Sequence, residues 1–146
     1  MKHRLFTAWG LTAWLLFALA PAAATAADPA PAAGAPQRAV FQVNEEDTRK
    51  WNTILANINN VQEELGKVEI TVVAIGPGLG MLKADALTAN RVLDAMAAGV
   101  RFVACGNTMK SLNLSKDDMI DGIAYARAGY VEVMRLQQLG YAYIRP

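Results

Sequence analysis

The chain has 146 residues with 14 basic and 13 acidic side chains, a net charge of +1, one cysteine and one histidine. That balance offers no basic surface for nucleic acid or an anionic membrane. A single cysteine excludes an internal disulfide, a C-x-x-C redox motif and a thiolate zinc site.

Met1-Lys2-His3-Arg4 is a short positive stretch, and Leu5 to Ala20 follows without a charge. Pro21 and a run of small residues come next, and Ala24-Thr25-Ala26 forms an A-x-A site. This order is that of a secretory signal peptide over residues 1–26, with the periplasm as the expected address. The uncharged stretch is 16 residues, short of the roughly 20 that a spanning helix needs. No stable membrane insertion is therefore expected after cleavage. Removal through Ala26 leaves 120 residues, enough for one core and too few for two domains. It also leaves 12 basic against 13 acidic side chains, and takes away His3, the only histidine. No Ser-His-Asp triad, Cys-His pair or imidazole metal ligand remains, so neither a metal nor a cofactor is expected.

Residues 27–37 are Pro/Ala-rich and read as a tether, which places the domain at 38–146. Residues 39–43 (AVFQV) form a short apolar strand. Asn44 then acts as a helix N-cap, with Asp47 in the reciprocal position. Trp51, Ile54, Leu55, Ile58, Val61 and Leu65 recur at helical spacing as one apolar stripe, and Gly66 ends it. Residues 68–75 (VEITVVAI) finish as a continuous apolar run, the pattern of a strand covered on both faces. Gly76-Pro77-Gly78-Leu79-Gly80 breaks into a loop. A helix follows over about 84–98, with Ala89, Val92, Leu93 and Met96 inward and Gly99 as its stop. Residues 100–105 (VRFVAC) make a third strand, and Gly106-Asn107-Thr108 turn into a short helix. Ser115-Lys116-Asp117-Asp118 has the form of a capping box opening another helix, which Gly122 ends. A strand at 123–126, a helix over 130–139, a stop at Gly140 and a strand over 141–145 complete the chain. Alternation of this kind predicts a three-layer α/β/α sandwich around a mainly parallel sheet of about five strands.

Ligands of open α/β sheets bind beyond the carboxyl ends of strands, near a topological switch point. Two features fall at such ends. Cys105 closes the third strand just before a helix, whose free N–H groups favour a thiolate. Gly106, Asn107 and Thr108 would line its pocket, the last two as side-chain donors. The opposing reading makes Cys105 a small buried hydrophobe. Gly76, Pro77 and Gly78 are candidates for another wall of that pocket. The loop itself is not G-x-G-x-x-G and lacks the Lys-Ser/Thr pair of a P-loop, so a tight turn that brings backbone close to a neighbour fits better than a nucleotide or flavin site. Glu45, Glu46 and Asp47 read as helix N-terminal charge, and Asp117, Asp118 and Asp121 as a solvated face.

The segments from Trp51 to Gly66, VVAIGPGLGML (72–82), VRFVACGNTM (100–109) and LQQLGYAYIRP (136–146) resemble the DsrE-like sulfur-relay family. The resemblance spans about a hundred residues and is sharpest at C-G-N-T and at the G-Y-A-Y-I ending. It implies that family's α/β/α fold, homo-oligomers of trimer or hexamer size, and a cysteine that carries sulfur as a persulfide between a donor and an acceptor protein. Carried over, that role falls to Cys105, in an exported branch of the family. The chain departs from the pattern at Ile75, where a histidine is expected. Two functions follow as expectations. One is a periplasmic sulfur-handling protein acting through Cys105, an enzyme only in the sense of sulfur transfer. The other is a non-catalytic oligomeric binding domain with an inert Cys105.

Overall fold

The computed structural model describes residues 36–146; the expected signal peptide and the expected tether up to residue 35 lie outside the described residues. β1 (Gln37–Val43) opens the domain, so Gln37, assigned above to the tether, is already strand. α1 (Thr48–Leu65) is capped by Asp47 and not by Asn44. The Asp47 carboxylate accepts from the N–H groups of Arg49 at 2.8 Å and Lys50 at 3.3 Å. A start at Thr48 lets the buried Trp51 ring donate from Nε1 to the Glu45 carbonyl at 2.8 Å. Trp51, Ile54, Leu55 and Ile58 are buried as the stripe requires. Leu65 is 49% exposed. The helix is about 27 Å long at 1.5 Å per residue, whereas a seven-residue strand spans about 23 Å, so the last turn overshoots the sheet.

β2 (Val68–Ala74) leads into a 3-10 segment, Gly76–Leu82. α2 (Ala89–Ala97) is shorter than the expected 84–98. The preceding residues are drawn into tertiary pairing: Lys83 bridges Met119, and the Ala84 N–H donates to the Asp118 carbonyl at 2.9 Å. The short helix reaches the core through Val92, and Leu93, a turn of 100° away, is 45% exposed instead of inward. β3 (Arg101–Cys105) runs directly into α3 (Gly106–Ser111). The capping box does form, with the Asp118 carboxylate accepting from the Ser115 N–H and hydroxyl, but it opens only a single 3-10 turn, Lys116–Asp118. The next N–H groups are claimed elsewhere, Ile120 donating to the Leu82 carbonyl at 2.9 Å. β4 (Ala124–Ala126), α4 (Gly129–Gln138) and β5 (Ala142–Ile144) follow.

The five strands lie in the order β4-β3-β2-β1-β5, every neighbouring pair parallel. That order explains the layers. From β1 to β4 the chain steps one way across the sheet, so right-handed crossovers put α1, α2 and α3 on one face. From β4 to β5 it returns across the whole sheet, which puts α4 on the other. The core divides accordingly. Phe41, Val72, Phe102, Ile58, Val92 and Met109 belong to the larger cluster. Val40, Val73, Val103, Ile75, Cys105, Val133 and Leu136 form the smaller one under α4. Val72, Val73 and Ala74 are each fully buried, as consecutive strand residues become only when both faces are covered. Among the described residues no helix is long and apolar enough to cross a membrane.

Candidate functional site

Cys105 ends β3 and is the N-cap residue of α3, with extended backbone (φ −76°, ψ 112°). Strand alternation turns its side chain to the α4 face, where it is 4% exposed among Val103, Ile75 and Val133. Its Sγ accepts the Gly129 N–H at 3.2 Å. Gly129 starts α4, and a Cβ there would stand 2.6 Å from Ile75 Cγ1 and 3.2 Å from Cys105 Cβ. Only glycine lets the helix start approach so closely.

Burial pushes the Cys105 thiol up, but hydrogen bonding outweighs it. The Thr108 hydroxyl, then the N–H groups of Gly129, Thr108 and Asn107, hold the thiol below its ordinary value. Thr108 also accepts the Gly76 N–H on its Oγ1 at 3.0 Å, so it ties the glycine loop to the thiol. The arrangement favours an anion on sulfur, thiolate or persulfide, at the start of two helices.

The other expected residues divide. Gly106 is the first residue of α3, and a Cβ on it would meet the Ala126 carbonyl oxygen at 3.3 Å. Asn107 acts through its backbone, donating to the Arg127 carbonyl at 3.0 Å, while its side chain is in solvent. Gly76 reaches the thiol only through Thr108. Pro77 is exposed and, with Gly76 and Thr108, lines a cleft of about 390 Å³. Gly78 is committed to β1, because a Cβ would overlap the Val43 carbonyl and come within 2.7 Å of Asn44 N. It is the close-approach glycine of the loop and touches β1, not the thiol.

Cys105 ends β3 beside the end of β4, and the connections leaving these two neighbours part to opposite faces, α3 on one and α4 on the other. What the local reading missed is Gly129, 24 residues downstream, together with the 126–128 segment beside it. The available signal was topological: a return crossover from β4 must start its helix next to the end of β3, on the face opposite to α1. A second cleft, of about 440 Å³, is lined by Ala126, Arg127, Ala128 and Glu132 on this side. The groove between α1 and α2, about 300 Å³, holds no nucleophile. Among the described residues no three His, Cys, Asp or Glu side chains gather in a way that could hold a metal ion.

The solved structures similar to this chain have the same architecture. A protein of unknown function from Methanobacterium thermoautotrophicum, MTH1491, is 34% identical with a TM-score of 0.74, over 75% of this chain and 99% of that one. The ychN protein of E. coli matches at 13% identity and a TM-score of 0.64, over 75% of this chain and 99% of its own. BT1422 from Bacteroides thetaiotaomicron, also of unknown function, matches at 12% identity and a TM-score of 0.64, over 75% and 95%. No curated protein matches the chain. The family model for DsrE/DsrF-like proteins matches residues 37–146, which is the whole sheet and all four helices, and the chain therefore belongs to the DsrE/DsrF-like family.

Proposed function

We propose that this protein handles sulfur in the periplasm, with Cys105 accepting a sulfur atom and carrying it as a persulfide to a partner protein. The observation that carries the reading is the place of this sulfur: Cys105 lies between the starts of α3 and α4, and its Sγ accepts the Gly129 N–H at 3.2 Å in an otherwise apolar setting. Donors arranged around a neutral packing thiol would gain little; around an anion they gain about twice as much per bond. Thiolate attack on a sulfane sulfur needs no cofactor. The outer sulfur of the persulfide stands about 2 Å from Sγ. The resemblance to sulfur-relay proteins supports homo-oligomers of trimer or hexamer size, which sedimentation velocity reads directly.

The test is an intact mass spectrum of the reduced protein after exposure to a sulfane-sulfur donor, beside Cys105→Ser. One added sulfur that is absent from the variant and removed by reductant is the expected result. The second reading, a binding domain with an inert cysteine, is favoured by the 4% exposure of Cys105 and by Ile75 beside it. It predicts no adduct in the folded protein and a normal adduct after unfolding.

A further inference from the structure

Cys105 is 4% exposed, so a reactant reaches its sulfur only if part of the chain moves. Two segments border the thiol, and they are held very differently. The glycine loop is anchored by Leu79, Met81 and Leu82, each fully buried, and its Gly78 is seated against the Val43 carbonyl. Thr108 fastens it further through the Gly76 N–H at 3.0 Å. The other segment runs from Ala124 through Glu132 and holds β4 and the first turn of α4. Between the buried Ile123 and Val133 it sinks no large apolar side chain into the core. Ala124, Ala126 and Ala128 are partly buried methyl groups, Gly129 has no side chain, and Tyr130 and Val131 point outward at 57% and 62% exposure. β4 is also an edge strand, paired on one side only.

Polar contacts hold this segment instead. The Asn107 N–H donates to the Arg127 carbonyl at 3.0 Å, and the Gly129 N–H donates to Sγ at 3.2 Å. Glu132, with a side chain 11% exposed, reaches across to Arg101 of β3 at 3.1 Å. Its second partner, Arg135 at 2.7 Å, lies within α4 and ties nothing to the sheet. Beyond Glu132 the helix is fixed by Val133 and Leu136 in the apolar cluster. Segments with few buried apolar contacts open at the low end of the free-energy range.

We propose that residues 124–132 are a strap that lifts from β3 while the rest of the domain stays folded, that this opening is the route to Cys105, and that the Glu132–Arg101 ion pair is its latch. Lifting breaks the latch and the Gly129 bond to Sγ together, so covered and uncovered thiol interconvert as one two-state element. The strap requires only that a thiol lie beneath it, so it stands or falls separately from the sulfur chemistry.

The experiment follows alkylation of the native full chain by N-ethylmaleimide, a neutral reagent that changes of charge do not steer. Intact mass gives the rate from zero urea up to the unfolding transition, with Cys105→Ser as the blank. Wild type is expected to label far more slowly than the unfolded chain, at a rate that low urea leaves flat and that exceeds what global unfolding supplies. Glu132→Gln and Arg101→Gln are each expected to label about tenfold faster, and Arg135→Gln close to wild type. Asp47→Ala, which weakens the cap of α1 on the other face, is expected to leave the low-urea rate unchanged. A wild-type rate that tracks global unfolding throughout, or equal acceleration in Asp47→Ala and Glu132→Gln, overturns the strap. Labelling as fast as in the unfolded chain overturns it too, since the thiol then needs no opening. Local labelling that neither Glu132→Gln nor Arg101→Gln accelerates overturns the latch.

Discussion

The Thr108 hydroxyl accepts the Gly76 N–H and leaves its own proton for Cys105, so one side chain serves the loop and the thiol. Thr108→Val keeps the shape and removes both bonds. Burial then acts on the thiol with less opposition, and the Cys105 pKa rises, so less thiolate is present at neutral pH. The ultraviolet absorbance of the thiolate against pH reads this, and an unchanged titration curve would show that the backbone N–H groups suffice alone. Leaving the part-buried Gly76 N–H unpaired also costs about 1–3 kcal/mol of stability. At this scale the sequence revealed half of the site. Cys105 and Thr108 are three residues apart, and a strand running into a helix is a local pattern. Gly129 is not local: a glycine at a helix start carries no mark of what it approaches, and its reason, the Ile75 and Cys105 side chains, appears only once the sheet is assembled. Ile75, singled out in the sequence as the place where a histidine is expected, does lie against this site.

α1 shows which element signals can be read and which compete. Its apolar stripe put Trp51, Ile54, Leu55 and Ile58 in the core correctly, since each fully buried side chain is worth about 1.5–3 kcal/mol and outweighs the ends. The cap was misplaced by three residues because Asn44 and Asp47 are both good capping residues, worth similar amounts. Only Trp51 docking on Glu45 decides between them. Asp47→Ala is expected to cost about 1 kcal/mol in denaturant unfolding, with Asn44→Ala nearly neutral. Equal losses would mean that the helix starts earlier in solution. The same competition explains the Ser115 box, whose hydrogen bonds form although the helix does not: pairing of 119 and 120 with 82 and 83 takes the backbone that a longer helix would need. Short elements are decided by such tertiary partners, long ones by their own periodicity.

Across the whole molecule the two faces of the sheet are unequally covered, and the strand order is the cause. Three crossovers supply one face and a single return supplies the other, so α4 alone seals the cluster that contains Cys105. Alternation of strands and helices made the three layers legible in the sequence. It did not reveal that β5 lies beside β1, because nothing in a short C-terminal strand names its neighbour. α4 is fastened at its first turn by Glu132, which joins Arg101 of β3 to Arg135. Hydrogen bonding from Arg135, and from Arg101 against some burial, holds the Glu132 carboxyl at about 2. An unfolded glutamate titrates near 4.3, so the native value is depressed and the contribution to stability is complete only above that range. It is lost as pH falls from about 4.5 toward 2. Glu132→Gln removes the charge at every pH and is expected to cost about 1–3 kcal/mol near neutrality, toward the low end because both arginines stay about half exposed. Below the native value the wild-type carboxyl is protonated and resembles the amide, so the two proteins converge. Melting curves of wild type and Glu132→Gln from neutral to strongly acidic pH check this, and a gap that stays constant throughout would mean that α4 is held by its apolar face alone.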